Sequence, residues 1–323
     1  MAVQAAMVYP KKKEMNMNTL SGSYVEKRPG LLVIVGGLVT SAISLSLVFV
    51  LDKLTDSFNI MGFYLNYVIP AGALVIGLIA GSGYGAVSLW RGIKISKGLL
   101  WVVMGLQLVA YFVAQYLEYL DVLARLDDGV KLTFLQYYDF MARAFAWKQE
   151  NGSVGTPLGL WGYAFRALEA AGFAFGGLIV PVILLKKPYC MQCQVYMKSR
   201  DLCLIPAGVQ EKKIKKKDTE AQAAYEAEIK QALTEGQNAL SQLQAHAQGW
   251  QADEFKKIVK FLVDRNRTTG KLTGRIAMKL VFCRRCRDGY LAPVMLTGQG
   301  EAIAMTPLAT VKLDPQFVGQ ITT

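Results

Sequence analysis

Two cysteine pairs, Cys190-Met-Gln-Cys193 and Cys283-Arg-Arg-Cys286, are the residues of this chain whose type and spacing specify chemistry most directly. Two C-x2-C turns can place four thiolates at the corners of a tetrahedron, the arrangement that holds a zinc ion at Zn–S distances of about 2.3 Å. The expectation is a structural zinc site on Cys190, Cys193, Cys283 and Cys286. Four thiolates around a divalent ion leave net negative charge, and Lys198, Arg284, Arg285 and Arg287 stand close in sequence to balance it. The fifth thiol, Cys203, lies in an apolar stretch and reads as a buried packing residue.

Two other groupings invite a chemical reading. Arg166 and Glu169 lie i and i+3 on one helical face within an apolar run, where each alone would be costly and together they neutralise one another. They read as a structural pair or a contact to the neighbouring loop, with an ion, proton or quinone-headgroup site as the functional alternative. Lys212, Lys213, Lys215, Lys216 and Lys217 form the densest positive run and would attract an anionic lipid surface. Nucleic acid is the disfavoured alternative, because no aromatic residue interleaves with the lysines. The single histidine, His246, lies far from every apolar run, which excludes bis-histidine haem ligation, an intramembrane histidine zinc protease and a Ser-His dyad. The chain carries no phosphate-binding glycine loop and no dinucleotide fingerprint.

The elements that must carry these groups divide the chain in two. Of the 323 residues 53% are hydrophobic and only 19% charged, which excludes disordered and collagen-like classes. Residues 1–185 hold 14 Lys and Arg against 11 Asp and Glu, and residues 186–323 hold 22 against 13. A lipid-embedded first part and a basic water-soluble second part are expected. Four stretches, residues 31–51, 63–90, 99–117 and 161–185, are apolar enough to cross a hydrocarbon layer that needs about 20 helical residues. The first is longer than a signal-peptide core and reads as a retained anchor behind a leader over residues 1–30. Pro70 and Pro181 are expected to kink their helices. Gly77, Gly81 and Gly85, with Gly172 and Gly176, repeat at four-residue spacing and point to close helix packing inside the bundle.

Lys and Arg set the orientation. Lys11, Lys12, Lys13, Lys27 and Arg28 precede the first span, Arg91, Lys94 and Lys97 fill the second turn, and Lys186 and Lys187 close the fourth span, all on one side. Both termini are therefore expected in the cytoplasm, with the inner membrane of a bacterium as the expected location. The opposite side receives the loop over residues 118–160, which is too long for a connector and carries a helical repeat of apolar and aromatic residues between 132 and 147.

The second part, residues 188–323, reads as short strands around the cysteine pairs with a helical hairpin inserted over residues 218–266. The strands are expected at 202–206, 276–282 and 289–296. In the hairpin, Tyr225, Ile229, Leu233, Leu240, Leu243, Ala247 and Trp250 recur at helical spacing with a gap at Gly236, and Asp253 is a plausible cap for the second helix.

The cysteine-bearing segments resemble a zinc ribbon. They are also similar to the rubredoxin pattern, in which paired cysteines bind iron, but that pattern has Gly after the second cysteine where this chain has Gln194 and Arg287. Zinc is the expected metal, and iron the disfavoured one. Four spans with a C-x2-C pair also resemble the vitamin K epoxide reductase fold, which keeps its pair at the outer mouth of the last core helix with further loop cysteines. The 118–160 loop here has none. The whole is similar to bacterial four-span membrane proteins with a cytoplasmic four-cysteine module. The expected role is a non-enzymatic scaffold or accessory subunit that binds other membrane-protein subunits. A thiol or metal-based redox enzyme and a small transporter or channel are the alternatives.

Overall fold

A computed structural model describes residues 29–54, 60–66, 68–125, 132–146, 155–212, 218–298 and 303–322. The leader up to residue 28, and Lys213, Lys215, Lys216 and Lys217, lie outside the described residues.

Four long helices, α1 (Pro29–Leu54), α2 (Ala71–Arg91), α3 (Lys97–Arg125) and the helix over Gly162–Lys186, are long and apolar enough to span a membrane. A shorter helix, α4 (Phe134–Arg143), precedes the last of these, which is therefore α5. Large apolar side chains on all four, such as Ile43, Val75, Val109 and Ile183, face outward as they would toward lipid.

The second span differs from its expected extent. Residues 63–66 and 68–70 are not helical: Leu65 bridges to Ile69, and Pro70, unable to donate a backbone hydrogen bond, stands as the residue before the first turn of α2 instead of kinking it. Pro181 does lie inside α5 and cannot donate to the carbonyl of Gly177. That carbonyl faces Gly81, where a Cβ would come within 2.2 Å of it. At Gly77 a Cβ would stand 2.1 Å from the Phe173 carbonyl. The glycine repeat thus brings α2 and α5 to backbone contact within the chain. Polar side chains add hydrogen bonds on the other flank of α2: Thr40 donates to the Ala80 carbonyl at 2.7 Å, and Ser44 to Ile76 at 3.1 Å.

At one end of the bundle, α4 is opened by a capping box in which the Thr133 hydroxyl accepts from the Gln136 N–H. Tyr116, Tyr119, Phe134 and Tyr137 pack there as an aromatic cluster, and Phe145 stacks on Phe165 at 5.1 Å. Asp121 pairs with Lys53 and with Arg125, fastening α3 to α1.

Beyond α5 the chain becomes a small α/β unit. A two-stranded hairpin, β1 (Tyr189–Cys190) and β2 (Val195–Tyr196), leads into β3 (Lys198–Pro206). A helical pair, α6 (Thr219–Gln248) and α7 (Ala252–Thr269), separates β3 from β4 (Gly274–Phe282) and β5 (Gly289–Thr297). The edge pieces β6 (Ala304–Pro307) and β7 (Val311–Leu313) both pair with β5, and α8 (Pro315–Thr322) closes the chain. The sheet is antiparallel in the order β3-β4-β5-β6, five strands in all with β7. One core is built from Ile205, Ile276, Met278 and Leu291 of the sheet and Leu243, Phe255 and Phe317 of the helices. Gly236 interrupts the apolar stripe of α6 because the helix crosses the end of β3 there: a Cβ would meet Ala207 at 2.6 Å. Helix α7 starts before the expected cap, with Gln251 at its N-cap and Asp253 in the first turn beside Glu254.

Candidate metal centre

Register alone brings the two cysteine pairs together. β3 and β4 run antiparallel with Lys198 opposite Phe282, so the chain leaving the first pair enters the sheet beside the point where β4 reaches the second. The first pair occupies the turn between β1 and β2, where Cys190 is opposite Val195. The second occupies the turn between β4 and β5, closed by Phe282 opposite Gly289 and by the Cys283 N–H donating to the Asp288 carbonyl at 2.9 Å.

The four sulfur atoms of Cys190, Cys193, Cys283 and Cys286 all lie within 4.8 Å of one another, with no disulfide among them. The Cys190 and Cys286 Sγ atoms are 3.6 Å apart, close to the edge of roughly 3.8 Å that a tetrahedron with 2.3 Å arms requires. Cys190 and Cys283 are buried and Cys193 and Cys286 half-buried, among Met197, Val281 and Tyr290. The donor set fits a thiophilic metal ion.

Both turns share a backbone device. Gln194 and Arg287, each directly after the second cysteine of its pair, have φ of 52° and 60°. This left-handed conformation curls the backbone around the sulfur atoms, and glycine would adopt it without strain. Two unlike residues held in it at equivalent positions mark the turns as overdetermined by their surroundings.

The thiols are electrostatically uneven. Burial is the largest influence on Cys283 and would raise it, yet backbone N–H groups of Cys286 and Arg285, with the Cys286 and Cys190 side chains, outweigh it and lower its pKa to about 7. Hydrogen bonding with Cys286, together with burial, pushes Cys193 up to about 12. Burial raises Cys190. Cys203 stands apart on β3 in the sheet core, pushed up to about 12 by burial alone, as expected of a packing thiol.

The site also grips the membrane helices. Gly92 ends α2 in the left-handed conformation, φ 66°, and a Cβ on it would strike the Gln194 carbonyl at 1.9 Å. Tyr189 donates from its hydroxyl to the Gly92 carbonyl at 2.5 Å. Tyr196 accepts from the Ile95 N–H at 3.0 Å and donates to the Ile93 carbonyl at 3.1 Å. Lys94 lies 5.9 Å over the Tyr189 ring. The α2–α3 turn is thereby clamped by two tyrosines that flank the first cysteine pair. Sequence reasoning assigned that turn only its charges. The discernible signals were Gly92 directly after a helix and an aromatic residue on each side of the pair.

Of the basic residues expected near the sulfurs, Arg285 donates to the Cys193 carbonyl at 3.3 Å, while Arg287 packs against Gly319 of α8. Lys212 of the lysine run is ion-paired to Glu228 at 2.7 Å. His246 sits on α6, its Nδ1 2.5 Å from the Gln251 Oε1. Arg166 and Glu169 are fully buried in the bundle, far along α5 from the cysteines, and form an ion pair at 2.9 Å.

Comparison with family models, with curated proteins and with solved structures gives no match for this chain.

Proposed function

We propose that this protein is a membrane-anchored scaffold or accessory subunit whose cytoplasmic domain is a zinc ribbon split by the α6–α7 hairpin. The observation that carries this reading is the clamp between the first cysteine turn and the α2–α3 turn. Zinc held by four thiolates is a closed structural site, because no position remains for water or substrate. Here it fixes the attitude of a soluble domain against a four-helix bundle. Such a joint serves presentation: the helical pair α6–α7 and the sheet edge at β6 are held at a set distance from the bilayer for other membrane-protein subunits to engage.

The orientation rests on the one-sided distribution of Lys and Arg at the cysteine end of the bundle, which supports a cytoplasmic ribbon with cytoplasmic termini, at the inner membrane if the source is bacterial. Zinc is the metal preferred for four thiolates in a reducing compartment, where disulfides do not persist. The basic run from Lys212 to Lys217 would lie near the anionic leaflet.

The test is a mild-detergent purification of the full chain from its native membrane, with and without residues 221–260. A partner that remains at fixed stoichiometry through size-exclusion chromatography with the intact chain, and is lost on deletion while the bundle and its helicity persist, is the expected result. A chain that migrates alone in both preparations contradicts the scaffold reading.

A further inference from the structure

The two ends of the bundle treat their cations differently. At the end that bears α4, Lys53 and Arg125 pair with Asp121, and Arg143 pairs with Asp139. At the cysteine end, Arg91, Lys94, Lys97, Lys186 and Lys187 are all exposed, and none has an ion-pair partner among the described residues. The sequence withholds the partners: no Asp or Glu occurs over residues 57–117 or 170–200. Cations gathered without counter-charge repel one another, and an external anion relieves that repulsion.

The fold brings these residues together. Gly77 meets Phe173 and Gly81 meets Gly177, so α2 and α5 run parallel, and the same register carried to their ends sets Arg91 beside Lys187. Just beyond, Lys94 lies over the Tyr189 ring and 3.9 Å from the Met191 sulfur. The two helix C-termini, each equivalent to roughly half a negative charge, offset only about one of the cations. The thiolates of the cysteine centre have Lys198, Arg284, Arg285 and Arg287 close to them in sequence. The cluster therefore keeps a positive excess.

Its level along the bundle identifies the anion. Trp90 is 79% and Trp101 70% exposed, one on each helix that flanks the α2–α3 turn, as indole rings are placed at a membrane–water boundary. Leu89 and Ile183 are exposed just inside that level. Arg91 is held over the Trp90 ring at 4.5 Å, which leaves the edge of its guanidinium for a planar, bidentate contact of the kind phosphate makes. A choline or ethanolamine headgroup would return a cation to the cluster, whereas a glycerol headgroup would not.

We propose that the adjoining ends of α2 and α5 bind the phosphate of an anionic phospholipid of the phosphatidylglycerol type. Arg91, Lys186 and Lys187 hold the phosphate, and Leu89 and Ile183 lie beside the acyl chains. The lipid bridges two spans at their joint with the cysteine centre. This inference rests on the spans crossing a bilayer and is independent of the scaffold reading and of the side on which the joint lies.

The test is native mass spectrometry of the full-length, metal-loaded protein in detergent, titrated with dioleoyl phosphatidylglycerol or with dioleoyl phosphatidylcholine. The glycerol lipid should give a discrete first bound species at about one-tenth of the concentration that the choline lipid requires. This comparison is made on the unaltered protein and stands without any variant. Arg91→Gln combined with Lys186→Gln should weaken the species by about tenfold, with Lys94, Lys97 and Lys187 left to hold the orientation of the spans. Lys256→Gln combined with Lys260→Gln removes the same charge from exposed positions of α7 and should leave binding unchanged. Metal content and melting temperature are read on each variant, so loss of the fold or of the cysteine centre is distinguished from loss of this site. Equal binding of the two lipids, equal weakening in both double variants, or undiminished binding without Arg91 and Lys186 would each overturn the proposal, the last by leaving the cluster to an acidic segment of a protein partner.

Discussion

At the scale of single residues, the conformation of the two turns makes a prediction that composition could not. Gln194 is exposed and its side chain has no packing role, so Gln194→Gly removes left-handed strain at little cost. It should stabilise the domain by about 0.5–1 kcal/mol, measured by thermal or denaturant unfolding. Arg287→Gly relieves the same strain but loses the contact with Gly319, so it should give no comparable gain. Equal gains from both would show that the contact to α8 contributes nothing. The thiols make a second prediction. Metal binding requires thiolates, and in the metal-free protein Cys190 is raised by burial and Cys193 is pushed up to about 12, so protons compete with the metal. The metal-bound sulfurs stay deprotonated to lower pH than the free ones, and affinity is therefore lost as pH falls. Metal extraction by a chelator, followed with a chromogenic indicator, should be about tenfold faster at pH 6 than at pH 8. A rate independent of pH would mean that the thiols are not the ligands.

At the scale of elements, the α2–α5 seam depends on the absence of side chains. A Cβ at Gly77 would lie 2.1 Å from the backbone oxygen of Phe173, an atom that cannot rotate away. Gly77→Leu should therefore separate the two helices and cost about 3 kcal/mol or more, read as loss of the folded monomer in a detergent melting series. Gly105, with open space around it, should accept Leu with little change and serves as the control. The glycine seam was legible in the sequence because its signal is periodic and local, and the same holds for the four apolar runs and the three main strands. The start of α2 was not, since residues 63–69 are as apolar as the helix and only Pro70 marks the boundary. β6, β7 and α8 escaped for a related reason: they are short, and their pairing with β5 and packing on Phe255 are tertiary facts without a repeat to announce them. The gap at Gly236 was visible as an interruption, but its meaning depended on β3 crossing that point.

At the scale of the whole molecule, the cysteine centre and the membrane bundle are one mechanical object. Cys190 and Cys193 lie three and six residues beyond Lys187, the residue that caps α5, and Tyr189 and Tyr196 around them hold the turn that joins α2 to α3. A metal ion on the four sulfurs would thus tie together the ends of three spans, the sheet, and through the sheet the inserted helical pair. The four cysteines were legible as a set from spacing alone. The clamp was not, because nothing in the spacing places residue 92 beside residue 194. Everything proposed for the α/β unit beyond α5 depends on what the four sulfurs hold, and X-ray absorption at the zinc edge on protein purified without added metal tests this most directly. One zinc per chain with four sulfur neighbours at about 2.3 Å is the expected result. Two disulfides in place of metal, stoichiometric iron, or zinc bound through nitrogen or oxygen ligands would contradict the account.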